Sequence, residues 1–162
     1  MAIVVERAYR PLVDEGDPDD YRPNSSIAMV LDPSRPDGQY VKGLMVLFER
    51  MAPGDCIPLH VHTIEELIII DEGSAEVTLG QERRTVDAGA VVFIPAGVPH
   101  GTRNLGVEVL RLHAVFPSHE LPIQYLERNP APGTEGNAPQ PPITYDMRAW
   151  VEGQFAEMIH PA

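Results

Sequence analysis

The chain has 162 residues, with 12 Lys and Arg against 24 Asp and Glu and a formal net charge of -12 at pH 7. A chain of this length suits one domain with a substantial core. The negative charge disfavours DNA, RNA and anionic membrane surfaces as partners, because they repel acidic proteins. A single cysteine cannot form an intramolecular disulfide, and no stretch approaches the roughly 18 apolar residues of a membrane span. We therefore expect a soluble, cytoplasmic protein.

The first part of the chain, residues 1–39, is predicted to form an irregular surface arm. Five prolines lie between positions 11 and 39, together with a cluster of acidic residues, and both features oppose regular secondary structure. The clustered acids are Asp14, Glu15, Asp17, Asp19 and Asp20. One short strand is predicted within this arm, over residues 27–31.

Residues 40–118 have the composition of an all-β core. Short runs rich in Val, Ile, Leu and Thr alternate with Gly, Pro and Asp, and no helical period of apolar residues interrupts them. Hairpin turns are predicted at residues 71–73, 80–81 and 87–89. Because no helix separates the strands, the pattern favours an antiparallel sandwich or barrel over a parallel α/β fold.

Residues 119–162 are predicted to form a proline-rich extension with one short helix. Five prolines lie between positions 129 and 142, which is typical of a linker or of an arm on the surface. Asp146 is a candidate N-cap, and apolar residues from Met147 to Ile159 follow near helical spacing. We expect this helix to pack on the barrel or on a neighbouring subunit and to take no part in chemistry.

Two histidines and one glutamate share a face of the predicted strand that begins near residue 60. Side chains two apart along an extended chain point the same way, so His60, His62 and Glu66 can converge. Glu65 has the opposite parity and would point away. His100 follows a predicted strand and turn and is the candidate for a third nitrogen ligand. Three imidazoles and one carboxylate would suit a divalent first-row metal and leave positions for water or substrate.

Two gapped motifs that contain these residues resemble the signature motifs of the cupin superfamily. The order and the spacing match at every signature position, and the short spacer between the motifs resembles that of small single-domain bacterial cupins. The signature positions are Gly54, His60, His62, Glu66 and Gly73 in the first motif, and Gly89, Pro95, Gly97, His100 and Asn104 in the second. The resemblance covers about residues 43–116. It implies a jelly-roll β-barrel that holds one metal ion, Mn, Fe, Ni, Cu or Zn, through His60, His62, Glu66 and His100.

The apolar residues around these motifs suggest a pocket on one side and a contact surface on the other. Residues with the parity of Glu66 would line the barrel near the metal, and candidates for the pocket wall are Ile68, Ile70, Val92 and Phe93. Leu67 and Ile69 then need cover from outside, and since cupins often dimerise through such sheets we expect a homodimer.

Arg111, His113 and Cys56 are three further polar side chains near the predicted site. Arg111 and His113 share a strand face and could orient a substrate if that face looked into the barrel. Leu110, Leu112 and Phe116 on the opposite face make the better core, which favours an outward position for both. Cys56 precedes Pro58 and is expected to be a packed thiol rather than a ligand.

The resemblance and the predicted metal site favour a metal-dependent enzyme that acts on a small organic substrate chelating the metal through two oxygens. A dioxygenase is the first expectation, and an isomerase, a decarboxylase or a cyclase comes next. The alternative is a non-catalytic cupin in which the metal captures a ligand or stabilises the fold. A fold is a weak guide to reaction, and the sequence does not single out a catalytic base.

Overall fold

A computed structural model of the chain describes residues 6–30 and 43–162. Thirteen strands lie in these residues, together with one short α-helix, α1. The strands are β1 Arg10–Pro11, β2 Ser26–Val30, β3 Met45–Met51, β4 Cys56–Val61, β5 Glu66–Glu72, β6 Ser74–Leu79, β7 Glu82–Asp87, β8 Val91–Ile94, β9 His100–Asn104, β10 Leu110–Phe116, β11 Glu120–Tyr125, β12 Ile143–Asp146 and β13 Ile159–Pro161. The strand predicted at 27–31 is present as β2, and position 31 lies outside the described residues.

Two antiparallel sheets form the protein, which confirms the predicted all-β jelly roll. The first sheet has the order β1-β2-β3-β10-β5-β8, and the second has the order β13-β12-β11-β4-β9-β6-β7. Strands that follow one another in sequence often lie in different sheets, as β4 and β5 do. The two inner faces therefore enclose one core, to which both the N-terminal and the C-terminal segments contribute strands.

Two of the three predicted hairpin turns are corners between the sheets. Residues 80–81 close a true hairpin, because β6 and β7 pair along their whole length. The turn at Gly73 instead carries the chain from β5 in the first sheet to β6 in the second, and the turn at Gly89 carries it back to β8. Both glycines have positive φ, 94° and 91°, a region that residues with a Cβ seldom adopt. Local sequence predicts a turn at these positions, but it does not predict with which other strand each flanking strand pairs.

The alternation of side chains along β5 and β10 fills the space between the sheets. Ile68 and Ile70 are buried at 2% and 1% exposure, whereas Leu67, which has the opposite parity on β5, is 36% exposed. On β10 the buried residues are Leu110, Leu112, Ala114 and Phe116. Each large aliphatic side chain buried in this way contributes roughly 1.5–3 kcal/mol to folding.

The C-terminal helix is shorter than predicted. Helix α1 spans Met147–Glu152, and the side chain of Asp146 caps it by accepting a hydrogen bond from the Arg148 backbone N–H at 3.0 Å. It ends at Gly153, whose left-handed conformation stops a helix and satisfies its last carbonyl groups. Ile159 belongs instead to β13. The buried residues of α1 pack within this chain, and no helix in residues 6–30 and 43–162 is long and apolar enough to cross a membrane.

The prediction that the acidic cluster lies on the surface is wrong for Asp17, Asp19 and Asp20, all of which are buried. Each meets a partner that is distant or basic. Asp17 accepts a hydrogen bond from the Tyr125 hydroxyl at 2.8 Å, and Asp19 forms an ion pair with Arg128. Residues more than a hundred positions away therefore compensate the burial of Asp17 and Asp19, and a local pattern cannot show such partners.

Candidate metal centre

Four side chains from three parts of the barrel converge on one point. His60 lies near the end of β4, His62 follows that strand, Glu66 begins β5 and His100 begins β9. His60 is paired directly with His100 across the β4–β9 ladder. Potential ligand atoms of all four residues lie within 4.8 Å of one another, and every one of these side chains is buried. The structure thus brings together the four residues that the sequence selected.

The distances within this group are short. The Nε2 atoms of His60 and His62 are 3.1 Å apart, and Oε2 of Glu66 lies 2.9 Å from Nε2 of His100 and 3.5 Å from Nε2 of His62. Glu65 is exposed, as its parity predicted. Glu66, and not Glu65, therefore lies among the converging side chains.

Backbone carbonyl groups hold the outer nitrogen of each imidazole. The Nδ1 atoms donate to Pro58 O at 2.7 Å, to Pro122 O at 2.7 Å and to Val98 O at 2.8 Å, from His60, His62 and His100 in that order. A neutral imidazole that donates through Nδ1 has a lone pair on Nε2. Three such lone pairs and a carboxylate face one another here. These electron-rich atoms repel one another unless a cation lies between them. The donor set therefore fits a metal ion.

Burial keeps two of these imidazoles neutral. It holds the pKa of His60 well below its ordinary value, and the neighbouring His62 and His100 act in the same direction. Burial also lowers the pKa of His62, although Glu66 opposes the effect. Neutral imidazole is the form that binds metals, so these two side chains are ready to act as ligands at neutral pH.

A cavity of about 80 Å³ lies beside the four residues, inside the barrel. Its wall is mostly apolar, and Ile68 is part of it, as predicted. The prediction is wrong for Ile70 and Val92, which are buried but are not part of the cavity wall. The prediction for Phe93 is wrong: it is 55% exposed on the outer face of β8. The parity of Phe93 is opposite to that of Val92, so only one of these neighbours can face inwards.

Three charged residues on the cavity wall were not predicted from the sequence: Asp20, Arg22 and Glu49. Arg22 donates through Nε and Nη2 to the two carboxylate oxygens of Asp20, at 2.7 and 2.6 Å, and through Nη1 to Oε1 of Glu49. Glu49 shares a face of β3 with Met45, Leu47 and Met51. A single charge on an otherwise apolar strand face was the signal that could have revealed it.

The buried charges of this cluster perturb one another. Burial raises the pKa of Glu49, and Arg22 opposes that rise. For Arg22, burial disfavours the charged form, but the carboxylates of Asp20 and Glu49 outweigh it and hold the pKa of the guanidinium above its ordinary value. The cluster therefore keeps a permanent positive charge next to a carboxyl group that burial makes more basic.

The remaining candidates lie outside the barrel interior. Arg111 is exposed and pairs with Glu72, and His113 lies near the surface with its Nδ1 2.9 Å from Asp71. The outward position expected for both is confirmed. Cys56 is half-buried, with its Sγ 3.4 Å from Oδ1 of Asn129, and it is not part of the four-residue group.

Comparisons with known proteins point to one family. Residues 47–116 match the family model described as a cupin domain. Quercetin 2,3-dioxygenase of Bacillus subtilis is 46% identical over 52 residues, which are 31% of this chain and 15% of that protein. An uncharacterised protein of Streptomyces coelicolor is 38% identical over 55 residues, which are 34% of this chain and 51% of that protein. The chain therefore spans only part of the curated relatives it matches.

Solved structures share the fold. The polyketide cyclase RemF from Streptomyces resistomycificus superposes with a TM-score of 0.51 at 26% identity, covering 62% of this chain and 70% of that one. A variant of Bacillus subtilis oxalate decarboxylase gives a TM-score of 0.52 at 21% identity, covering 63% and 28%, and supports the fold alone. The two-sheet barrel, the matched segment and the two complete motifs show that residues 47–116 of this chain form a cupin domain.

Proposed function

We propose that this cupin is a metal-dependent enzyme that acts on a small, oxygen-chelating organic substrate. His60, His62, Glu66 and His100 would hold one divalent first-row transition metal: Mn, Fe, Ni, Cu or Zn. The observation that carries the proposal is the convergence of three Nε2 lone pairs and a carboxylate oxygen beside an internal cavity. Such an ion would supply Lewis-acid chemistry or, where it is redox-active, chemistry with oxygen.

A dioxygenase is the first candidate reaction, and an isomerase, a decarboxylase or a cyclase comes next. The similarity to quercetin 2,3-dioxygenase supports the first candidate, because the aligned 52 residues are 46% identical. The similarity to the polyketide cyclase supports the second group. The small cavity favours a substrate of few atoms, and its apolar wall would exclude water from the bound molecule.

Metal analysis of the purified protein tests the site. We expect about one metal ion per chain in the wild type and its loss in His60→Ala and His100→Ala. The matched control is His113→Ala, which removes an imidazole near the surface and should keep the metal. Variants of His60 and His100 with full metal content would refute the assignment of these ligands.

Oxygen consumption then separates the enzyme from a binding protein. The metal-loaded protein would be tested with small dicarbonyls, enols and hydroxy acids, and consumption of oxygen that depends on His60 would support a dioxygenase. Conversion without oxygen would indicate the isomerase, decarboxylase or cyclase group. Tight ligand binding without any conversion across the panel would support the alternative, a non-catalytic cupin.

The outer face of the first sheet supports the proposal of a homodimer. Leu67 on β5 is paired with Phe93 on β8, and Val91 lies two residues before Phe93 on the same strand face. All three side chains are exposed, Val91 and Phe93 by more than half. A contiguous exposed apolar surface of this kind is typical of a protein–protein contact. A second copy of the chain, docked face to face, would bury these residues.

A further inference from the structure

The cavity next to the proposed metal centre has a second polar wall, formed by Asp20, Arg22 and Glu49. These side chains are 9%, 4% and 3% exposed. Glu49 lies on β3 in the first sheet, whereas His60, on the same cavity, lies on β4 in the second. Glu49 does not belong to the group of converging metal-ligating atoms. The cavity thus presents two chemically different regions to one small molecule.

Only one oxygen of Glu49 has a hydrogen-bond partner among the described residues. Oε1 accepts from Nη1 of Arg22, and Arg22 is itself fixed by its two bonds to Asp20. Oε2 accepts no hydrogen bond there, although the side chain is almost completely buried. It is also not sealed off by protein atoms, so it borders the cavity. A carboxylate oxygen that faces a small and mostly apolar cavity needs a donor from a molecule in that cavity.

We propose that Glu49 Oε2 is a ligand-binding group that accepts a hydrogen bond from the substrate, so that the protein selects metal chelators that also carry an N–H or O–H donor. This inference rests on the proposed function, since the metal would hold the chelating oxygens of the same molecule. Arg22 and Asp20 are positioning residues, because they fix the carboxylate plane of Glu49 and point its second oxygen into the cavity. The ligand class is therefore a small α-dicarbonyl or hydroxy-carbonyl compound with a donor beyond its chelating pair.

Oxamate and pyruvate form a matched pair of probes for this preference. They are isosteric and chelate through the same carboxylate and carbonyl oxygens, but oxamate has an NH₂ donor where pyruvate has a methyl group. Binding to Zn²⁺-loaded protein would be measured calorimetrically at pH 8, which favours the ionised carboxylate. Zn²⁺ has no redox chemistry, so binding is observed without turnover. The ratio of the oxamate affinity to the pyruvate affinity of the protein is divided by the same ratio for free Zn²⁺ in solution. This normalisation removes the intrinsic difference between the two compounds as Zn²⁺ chelators.

The wild type is expected to favour oxamate by about 10-fold or more, as a hydrogen bond to a charged group would provide. Glu49→Gln should reduce this preference to about 1 or reverse it. The amide carbonyl would continue to accept from Arg22, and the amide NH₂ would then face the cavity as a donor and repel the NH₂ of oxamate. Glu65→Gln, a change at an exposed carboxylate near the metal ligands, should keep the preference of the wild type.

The result separates this inference from the proposed function. The role of Glu49 would be refuted if Glu49→Gln keeps the oxamate preference of the wild type while every variant retains Zn²⁺ and binds pyruvate. This result would still support the metal site. Failure of the wild type to retain Zn²⁺ would overturn the proposed function itself. If Glu49→Gln does not fold, the wild type alone decides: a normalised preference for oxamate close to 1 would refute the inference.

Discussion

Glu66 and His100 join the two sheets of the barrel, with Oε2 of Glu66 2.9 Å from Nε2 of His100. Glu66 begins β5 in the first sheet and His100 begins β9 in the second. A cation bound between them would be held by both sheets at once. Metal binding should therefore stabilise the whole barrel and not only the loops around the site.

Addition of metal should raise the melting temperature of the chelator-treated protein. A ligand at 100 times its dissociation constant adds about 2.7 kcal/mol to the free energy of unfolding, provided that it binds only the folded state. Differential scanning calorimetry with increasing Zn²⁺ or Mn²⁺ would measure the effect. His100→Ala should abolish the response, whereas His113→Ala should show the same rise as the wild type. An equal response in both variants would contradict the prediction.

The neighbouring acids Glu65 and Glu66 provide a matched pair of substitutions. Glu66→Gln should weaken metal binding at least about tenfold, because loss of even a supporting group around a metal ligand commonly costs that much. Glu65→Gln should leave the affinity unchanged, since its side chain is exposed and points away. Isothermal titration with Zn²⁺ distinguishes the two. A weaker affinity in Glu65→Gln than in Glu66→Gln would reverse the assignment.

Arg22→Met should destabilise the protein strongly, and more at high pH than at low pH. The substitution leaves the buried carboxyl groups of Asp20 and Glu49 without their cation, a change that costs about 3–5 kcal/mol when a buried pair is broken. Because the folded-state pKa of Glu49 is raised from 4.5, its contribution to stability falls as the pH rises from about 4.5 through the folded pKa. Loss of Arg22 raises the pKa of Glu49 further, so the free energy of unfolding decreases more steeply with increasing pH in Arg22→Met than in the wild type.

Urea denaturation at pH 5, 6.5 and 8 measures this dependence. Arg84→Met is the control, because Arg84 pairs with Glu82 on the surface and should change the free energy of unfolding by less than about 1 kcal/mol at each pH. A destabilisation by Arg22→Met that is constant with pH would show that Glu49 does not respond to the loss of the guanidinium.

Replacement of an outer apolar residue should change the oligomeric state. Phe93→Asp places a charge in the proposed contact surface and should convert a dimer to a monomer of about 17.8 kDa. Val107→Asp is the control, since Val107 is 87% exposed in the segment between β9 and β10. Size-exclusion chromatography with light scattering gives both masses. A wild-type protein that is already monomeric at micromolar concentration would contradict the homodimer.

Three of the four side chains that converge in the barrel could be selected from local sequence, because strand parity depends only on position along the chain. Side chains on a strand alternate between faces, so the parity of residues 60, 62 and 66 separated Glu66 from Glu65 before any fold was known. The same alternation placed Arg111 and His113 outside the barrel. The two gapped motifs supplied His100, whose distance of 34 positions from Glu66 no periodicity would bridge.

Partners distant in the chain were decided by the tertiary structure alone. Arg22 meets Glu49 only because the first sheet brings the segment before β2 against β3, and this contact turned an expected surface arm into part of the cavity wall. The turns at Gly73 and Gly89 were visible in the sequence, but their role as corners depends on which strands pair. Strand periodicity and the four converging side chains could thus be predicted from the sequence, because the parity of residues 60, 62 and 66 and the two gapped motifs both follow from spacing along the chain. Folding decided the polar wall of the cavity, because the burial of a charge depends on partners that spacing cannot reveal.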